Sequence, residues 1–515
     1  MQGTAGEGVK WSSNAAFTLA AIGSAVGLGN LWRFPYVAGE NGGGAFVLFY
    51  VICVVLIGLP VLISELFIGR RGGMSAVGSV VKLARAEGRS PLWSMQSWFG
   101  MTGAFIILTF YSLIAGWVMA YVVMIGGGVF AAIGADGLAG LKAGAFASSS
   151  DAEVSAKLGE LLSDPNRMIF YHGMFAILTV AIVARGVKGG IETAVTFLMP
   201  AFFILLLVLL AFALATGDSK QGIDFLLGVR IGDTNLADGT VRHGLLHGLK
   251  DGSVISAALG QAFFSIGLGS ALMATYGAYM RSEQNLPNAA RIIAIADTGV
   301  GIVAGLAIFP IVFAMGLAPG GGPTLMFQTL PLAFHGMPFG GLFGMMFFLL
   351  AFFAAITSSI ALLETSTKWL DEQTKSDKRL ISASILGVAF FAIGVLNAYS
   401  QVPQAGANGE DQLNFWNTWL PFGDMQLFKG MVLMDFLSAT TDLILPIAGL
   451  ITALFAGWVV SSSTAREAIG FKSEKWFLRW RFLIRWVCPI GIFIVIFYAT
   501  IWIPFLLPML TNLSS

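Results

Sequence analysis

Twice in this chain a Gly-Leu-Gly triplet sits in the middle of a long apolar run: Gly27-Leu28-Gly29 in AIGSAVGLGNLWRFP and Gly267-Leu268-Gly269 in FFSIGLGSALMATY. Two glycines within three residues cost a helix roughly 2 kcal/mol against alanine, so each triplet predicts a break. A broken helix offers free N–H groups to an anion and unwound carbonyls to a cation. Polar side chains flank both triplets, Ser24, Asn30 and Arg33 at the first, Ser265 and Ser270 at the second. A third apolar run, AAITSSIALLE, carries Thr357, Ser358 and Ser359. Hydroxyls and carbonyls without thiol or imidazole suit a hard monovalent cation rather than zinc or copper. Asp297 and Asp435 are carboxylates inside apolar runs, where charges mark ion paths or gates. Arg33 needs an acidic partner, and Asp435 is the unspent carboxylate on the outer half.

The elements that position these groups must lie in a membrane. Of 515 residues, 56% are hydrophobic and 11% charged, with a mean hydropathy of +0.81; soluble domains carry roughly 25% charged residues. Runs of the length needed to cross a bilayer, about 20 residues each, lie near 12–37, 41–70, 95–127, 168–185, 190–216, 253–281, 289–318, 340–371, 379–397, 430–460 and 476–508. They are numbered below as spans 1 to 11. The whole chain, 1–515, reads as one transmembrane domain. With the N-terminus in the cytoplasm, most of the 29 Lys and Arg residues fall in cytoplasmic segments, among them Arg70, Arg71, Lys82, Arg85, Arg466 and Arg485. The positive-inside bias therefore predicts a cytoplasmic N-terminus and an outside C-terminus. Outer loops near 128–167, 217–252 and 398–428 read as caps, and 319–338, rich in Gly and Pro, as a re-entrant segment. Cys53 and Cys488 read as unpaired core thiols, and His172, His243, His247 and His335 as structural or solvent-facing. The net charge of +1 argues neither for nor against an anionic partner. The glycine triplets recur at matching positions of two five-span halves, 12–216 and 253–460, the pattern of a secondary transporter built from inverted repeats.

The stretch AVGLGNLWRFPYVAGENGGGAFVLFY, with FFSIGLGS, TSSIA and MDF, resembles the neurotransmitter:sodium symporter family, whose bacterial members share the leucine-transporter fold. The likeness covers about residues 11–465 and implies an all-α membrane protein of 5+5 inverted repeat plus one further helix (476–508), with spans 1 and 6 unwound. It implies a first sodium site at Ala25, Asn30, Ser265 and Asp297, completed by the substrate carboxylate. A second is implied at Gly23, Val26, Ala354, Thr357 and Ser358. The substrate carboxylate would meet the N–H groups of Leu28 and Gly29 and the Tyr111 hydroxyl. The rest of the substrate would lie among Ser24, Ala25, Ile107, Phe264, Ser265, Gly267, Ser270, Ser358 and Leu362. Outer closure would be Arg33 with Asp435 above a Tyr111–Phe264 lid. Inner closure would use Trp11 and the acids Asp371-Glu372; the family's arginine position is Gly8, and Lys10 is the available substitute.

Three departures shape the expected function. Asp297 stands where asparagine is common and supplies a fixed charge, while Tyr50 and Gln261 match chloride-site neighbours and Gly301 replaces a glutamate of some bacterial members. Two sodium ions and no chloride requirement follow. Gly27 stands where amine transporters carry an aspartate, which favours a zwitterion. Gly267 and Ser270 replace larger groups, and a roomier pocket suits a bigger ligand. The expectation is a sodium-coupled importer of neutral, bulky apolar or aromatic L-amino acids in a bacterial cytoplasmic membrane; Ser24 and Ser270 equally suit a polar one. Its partners are then an amino acid and the lipid bilayer, with no nucleic acid. No HExxH, GxSxG or P-loop motif occurs, so an enzyme is not expected. A substrate-sensing receptor or a proton-coupled transporter on the same fold are the alternatives.

Overall fold

The computed structural model describes residues 10–143, 149–235, 241–320, 324–374, 379–405, 411–412 and 432–498. Among them, nine uninterrupted helices are long and apolar enough to cross a membrane, from Gly44–Gly72 to Glu474–Phe497. Span 1 is a bent pair, Asn14–Ala25 and Gly29–Glu40, meeting at 47°. Span 6 is divided too, and its longer piece, Ser253–Ile266, is too short to cross alone. Small two-residue strand pairs, Thr234–Asn235 with Val241–Arg242 and Gln404–Ala405 with Asp411–Gln412, occur only in loops. Most of the long 398–428 loop lies outside the described residues. The Gly- and Pro-rich stretch 319–338 forms two short turns of helix, Leu325–Thr329 and Leu330–His335, rather than a span.

Local sequence explains both divided spans. The first half of span 1 starts at Ser13, whose side chain accepts the Ala16 N–H, and ends where Val26 turns extended (φ −73°, ψ 99°). The chain resumes as a π-helical turn, Gly29–Arg33, that runs on into Phe34–Glu40, with Pro35 directly after Phe34, whose N–H bonds to the Gly29 carbonyl. In span 6, Gly267 and Gly269 adopt φ of 73° and 74°, and Ala271 follows at φ 60° before Leu272–Ala278 begins. Left-handed backbone of this kind is open to glycine and strained for alanine.

The spans pack as two groups. Spans 3, 4, 8, 9 and 10 pack extensively on one another around Pro91–Asp136 and Gly340–Thr374. Span 2 packs on both halves of span 6 and on span 7, and span 1 reaches span 7 on one side and span 8 on the other. Aliphatic and aromatic side chains such as Phe170, Ile177, Phe197, Ile204 and Val388 project outward, the surface a lipid solvent requires. Where spans approach most closely a Cβ has no room: at Gly69 it would lie 1.8 Å from the Ala274 carbonyl oxygen, at Gly269 2.1 Å from that of Leu445. Gly69→Ala is therefore expected to lower the melting temperature of the detergent-purified protein. Gly127→Ala, in span 3 with nothing within 4 Å, should raise it slightly through helix propensity, by up to about 1 kcal/mol. Equal shifts would rule out close backbone approach as the constraint on span 2.

Candidate functional site

The two breaks face each other across one cavity. Ser24, Ala25, Gly27 and Gly29 of span 1 line it with Ile107 and Tyr111 of span 3. Phe264, Ser265, Gly267, Ser270 and Leu272 of span 6, Ser358 and Leu362 of span 8, and Leu445 of span 10 complete the wall. Its volume is ≈ 40 Å³, against about 300–1,000 Å³ for a typical ligand pocket, so an organic ligand enters only as the walls move apart. The Leu28 N–H donates to the Tyr111 hydroxyl at 3.3 Å, and the Phe264 ring lies 3.0 Å from where a Gly29 Cβ would be. An added Cβ at Gly27 would lie 2.4 Å from Ser358 Oγ, whereas at Gly267 the nearest atom is 3.5 Å away.

Two oxygen-rich clusters adjoin the cavity. In the first, Asp297 is fully buried. Its carboxylate accepts from Asn30 Nδ2 at 2.9 Å, Ser265 Oγ at 2.8 Å and the Tyr50 hydroxyl at 3.2 Å. No basic side chain forms a salt bridge with it among the described residues. A carboxylate so enclosed is costly without a compensating positive charge, and one carboxylate with two hydroxyl oxygens fits a hard cation; the Asn30 amide faces Asp297 through Nδ2, with its Oδ1 bonded to the Gly27 N–H. In the second cluster, Gly27 N–H, the ordinary helical partner of the Gly23 carbonyl, instead donates to Asn30 Oδ1 at 3.0 Å. The Leu28 N–H is likewise withdrawn from the Ser24 carbonyl, which accepts from Ser358 Oγ at 3.4 Å. Thr357 lies beside Gly23, 3.4 Å from a Cβ built there, and its hydroxyl donates to the Phe353 and Ala354 carbonyls at 3.1 Å. The structure thus brings Gly23 against Thr357, and Ser24 and Gly27 against Ser358.

The outer closure differs from expectation. Arg33 pairs with Asp442 at 3.2 Å, not with Asp435, and its guanidinium lies 4.5 Å from the centre of the Phe264 ring. Asp435 is exposed in the first turn of Leu433–Leu454. The two acids are seven residues apart, so they share a helix face about 10 Å from each other along the axis; sequence spacing fixes the face and leaves the depth open. The inner closure also differs. Glu372 accepts the Ser75 N–H at 2.5 Å. Trp11 is buried with its indole donating to the Tyr276 carbonyl at 3.4 Å, and Lys10 donates to the Ala278 and Met280 carbonyls. The arginine that meets the acids of span 8 is Arg379, paired with Glu364 and with Asp371 at 3.6 Å. Tyr279 of span 6 donates its hydroxyl to the same Glu364.

A profile of the sodium:neurotransmitter symporter family matches residues 9–125 and 157–408. The chain belongs to that family. It is a sodium-dependent membrane transporter rather than an enzyme. An uncharacterized sodium-dependent transporter, YhdH of Bacillus subtilis, is 33% identical over 95% of this chain and 96% of its own length. Another, from Haemophilus influenzae, is 29% identical over 95% and 98%. Among solved structures, MhsT in complex with L-phenylalanine superposes with a TM-score of 0.79 at 35% identity, covering 96% of this chain and all of its own. The fold of this transporter is the leucine-transporter fold.

Sequence reading missed Leu272, Leu445, Asp442, Glu364 and Arg379. Asp442 and Leu445 had a usable signal, since positions three apart share a helix face; Glu364, a lone acid deep in an apolar run, had another. Asp442→Asn and Arg33→Ala should reduce sodium-driven uptake by similar factors, with the double variant no worse than either, the non-additivity of residues that act as a pair. Asp435→Asn should change uptake little. The opposite ranking would return the outer gate to Asp435.

Proposed function

We propose that this transporter is a sodium-coupled symporter that imports neutral amino acids with bulky apolar or aromatic side chains by alternating access. The observation that carries this reading is the buried Asp297 carboxylate beside two facing helix breaks. A first sodium ion would be held by Asp297, Ser265, Asn30 and the Ala25 carbonyl, and a second by Thr357, Ser358 and the carbonyls of Gly23, Val26 and Ala354. A substrate carboxylate would take over the Leu28 and Gly29 N–H groups and the Tyr111 hydroxyl, and would complete the first sodium shell. Each ligand then raises the other's affinity by the same factor.

Two glycines support the substrate class. At Gly27 a side chain would crowd Ser358 Oγ and the Tyr111 hydroxyl, and no acid stands there to pair an amine, which favours a ligand that brings its own carboxylate, an amino acid. At Gly267 the nearest atoms to a built Cβ, Ser270 Oγ at 3.5 Å and Leu272 Cδ1 at 3.8 Å, are at ordinary contact distance, so a large ligand side chain would sit against Phe264, Ile107 and Leu362 once the walls move apart. MhsT, which was crystallised with L-phenylalanine, points the same way. Asp297 itself supplies the negative charge that would otherwise call for chloride. Spans 1–5 and 6–10 are read as inverted repeats in a bacterial cytoplasmic membrane with the N-terminus inside. Closure draws spans 1, 2, 6 and 7 against spans 3, 8 and 10.

The deciding experiment is binding of each proteinogenic amino acid to the purified protein with and without sodium. Aromatic and large aliphatic residues should bind only with sodium; sodium-independent binding, or preference for small polar residues, would overturn the reading. Uptake should persist when gluconate replaces chloride, and a loss would show that Asp297 does not substitute for the anion. Asp297→Ala should abolish sodium-dependent binding while the protein remains folded. Counterflow in proteoliposomes separates a transporter from a sensor, since a sensor exchanges nothing.

A further inference from the structure

One cluster of chemistry-bearing side chains lies apart from this machinery, on the loop between spans 5 and 6. Asp233 Oδ2 lies 3.7 Å from His243 Nδ1 and 3.4 Å from His247 Nδ1. The three atoms lie within 4.8 Å of one another. The two imidazoles stack, with centroids 3.8 Å apart and planes 17° from parallel. The other carboxylate oxygen, Asp233 Oδ1, accepts the Gly244 N–H at 2.9 Å, which turns Oδ2 toward the rings. The His243 Nδ1 is buried and makes no hydrogen bond among the described residues.

We propose that Asp233, His243 and His247 form a binding site for a zinc-class divalent ion. Tetrahedral zinc with bonds of about 2.0–2.1 Å separates its ligand atoms by about 3.3–3.5 Å; both carboxylate–imidazole separations are near that, and the stacked rings must turn out of parallel to aim both Nδ1 atoms at one ion. Two imidazoles and one carboxylate suit zinc and reject magnesium and calcium, which prefer all-oxygen shells. Three protein ligands leave a fourth position for water. The Gly244 N–H plays the part of the outer partner that orients a ligating carboxylate.

The site is tied to the outer end of span 1. Arg242, next to His243, is buried and donates to Asp224 Oδ2 and to the Phe225 and Gly228 carbonyls. The His243 carbonyl oxygen would lie 2.2 Å from a Cβ at Gly42, in the turn joining spans 1 and 2. A metal bridging Asp233 to the start of the helix Leu245–Asp251 fastens two ends of this loop against that turn. Zinc on the outer side therefore slows transport, a consequence that rests on the alternating-access reading above; binding itself does not.

The test uses the full-length protein without a histidine tag. Calorimetric titration with zinc chloride should give one saturable site per chain, with no competition from excess magnesium. His243→Gln and His247→Gln should each weaken zinc binding, on the order of 10–100-fold. Both variants should keep the wild-type melting temperature and sodium-dependent amino-acid binding. Absence of saturable zinc binding, or equal affinity in both variants, overturns the site. In vesicles, zinc added outside should inhibit wild-type uptake and spare the variants; tight zinc binding with unaltered uptake overturns the link to span 1.

Discussion

Inside a bilayer every backbone N–H and C=O must find a partner within the protein, because lipid offers none and each unmet group costs several kcal/mol. Spans 1 and 6 break this economy in the middle of the membrane, and the surrounding residues are arranged to restore it. Asn30 Oδ1 takes the Gly27 N–H, Tyr111 takes that of Leu28, and Gln261 donates to the Gly29 carbonyl at 3.1 Å. On the other break, Glu65 of span 2 accepts the Gly269 N–H at 2.7 Å. The side chains that gather at the site come from several spans because the freed backbone groups point in several directions.

The same groups make binding an exchange rather than an addition. In the contracted cavity the Leu28 N–H and the Tyr111 hydroxyl are bonded to each other. A ligand carboxylate would replace that contact with two charge-assisted ones, which are the stronger kind. The Asp297 carboxylate is held in place by Asn30, Ser265 and Tyr50. Oxygens ordered in this way would cost little further ordering if a cation bound there, and Asn30, bonded to both Asp297 and the Gly27 N–H, ties this cluster to the break in span 1.

Closure is legible in which contacts cross between the two packing groups. At one end of the cavity, Arg33 of span 1 reaches Asp442 of span 10, with Phe264 of span 6 beneath it. At the other, Tyr279 of span 6 reaches Glu364 of span 8, and the Ser75 amide, just beyond span 2, reaches Glu372. Arg379 with Glu364 and Asp371, by contrast, joins spans 8 and 9 within one group. It holds Glu364, the acceptor that Tyr279 of span 6 meets. Polar contacts and packed rings both close the cavity: Phe264 lies under Arg33 at one end, and Trp11 packs against Phe17, Tyr276 and Tyr279 at the other.

The sequence alone determined the membrane class, the location of the spans and the positions of both breaks. Those features are local: apolar length sets a span, and Gly27, Gly29, Gly267 and Gly269 weaken a helix wherever it lies. It also determined most of the cavity wall, from Ser24 to Leu362, through the family resemblance of those stretches. Tertiary structure decided the partners. Asp435 and Asp442 share one helix face, so only the docking of span 10 against span 1 chose between them for Arg33. Trp11 and Glu372 lie near the inner end on separate contacts, and the arginine at that end comes from Arg379, distant in sequence from the N-terminal segment. His243 and His247 read as ordinary loop residues until folding set Asp233 beside them. A charge's type and depth can be read along the chain; the charge that answers it depends on how the spans meet.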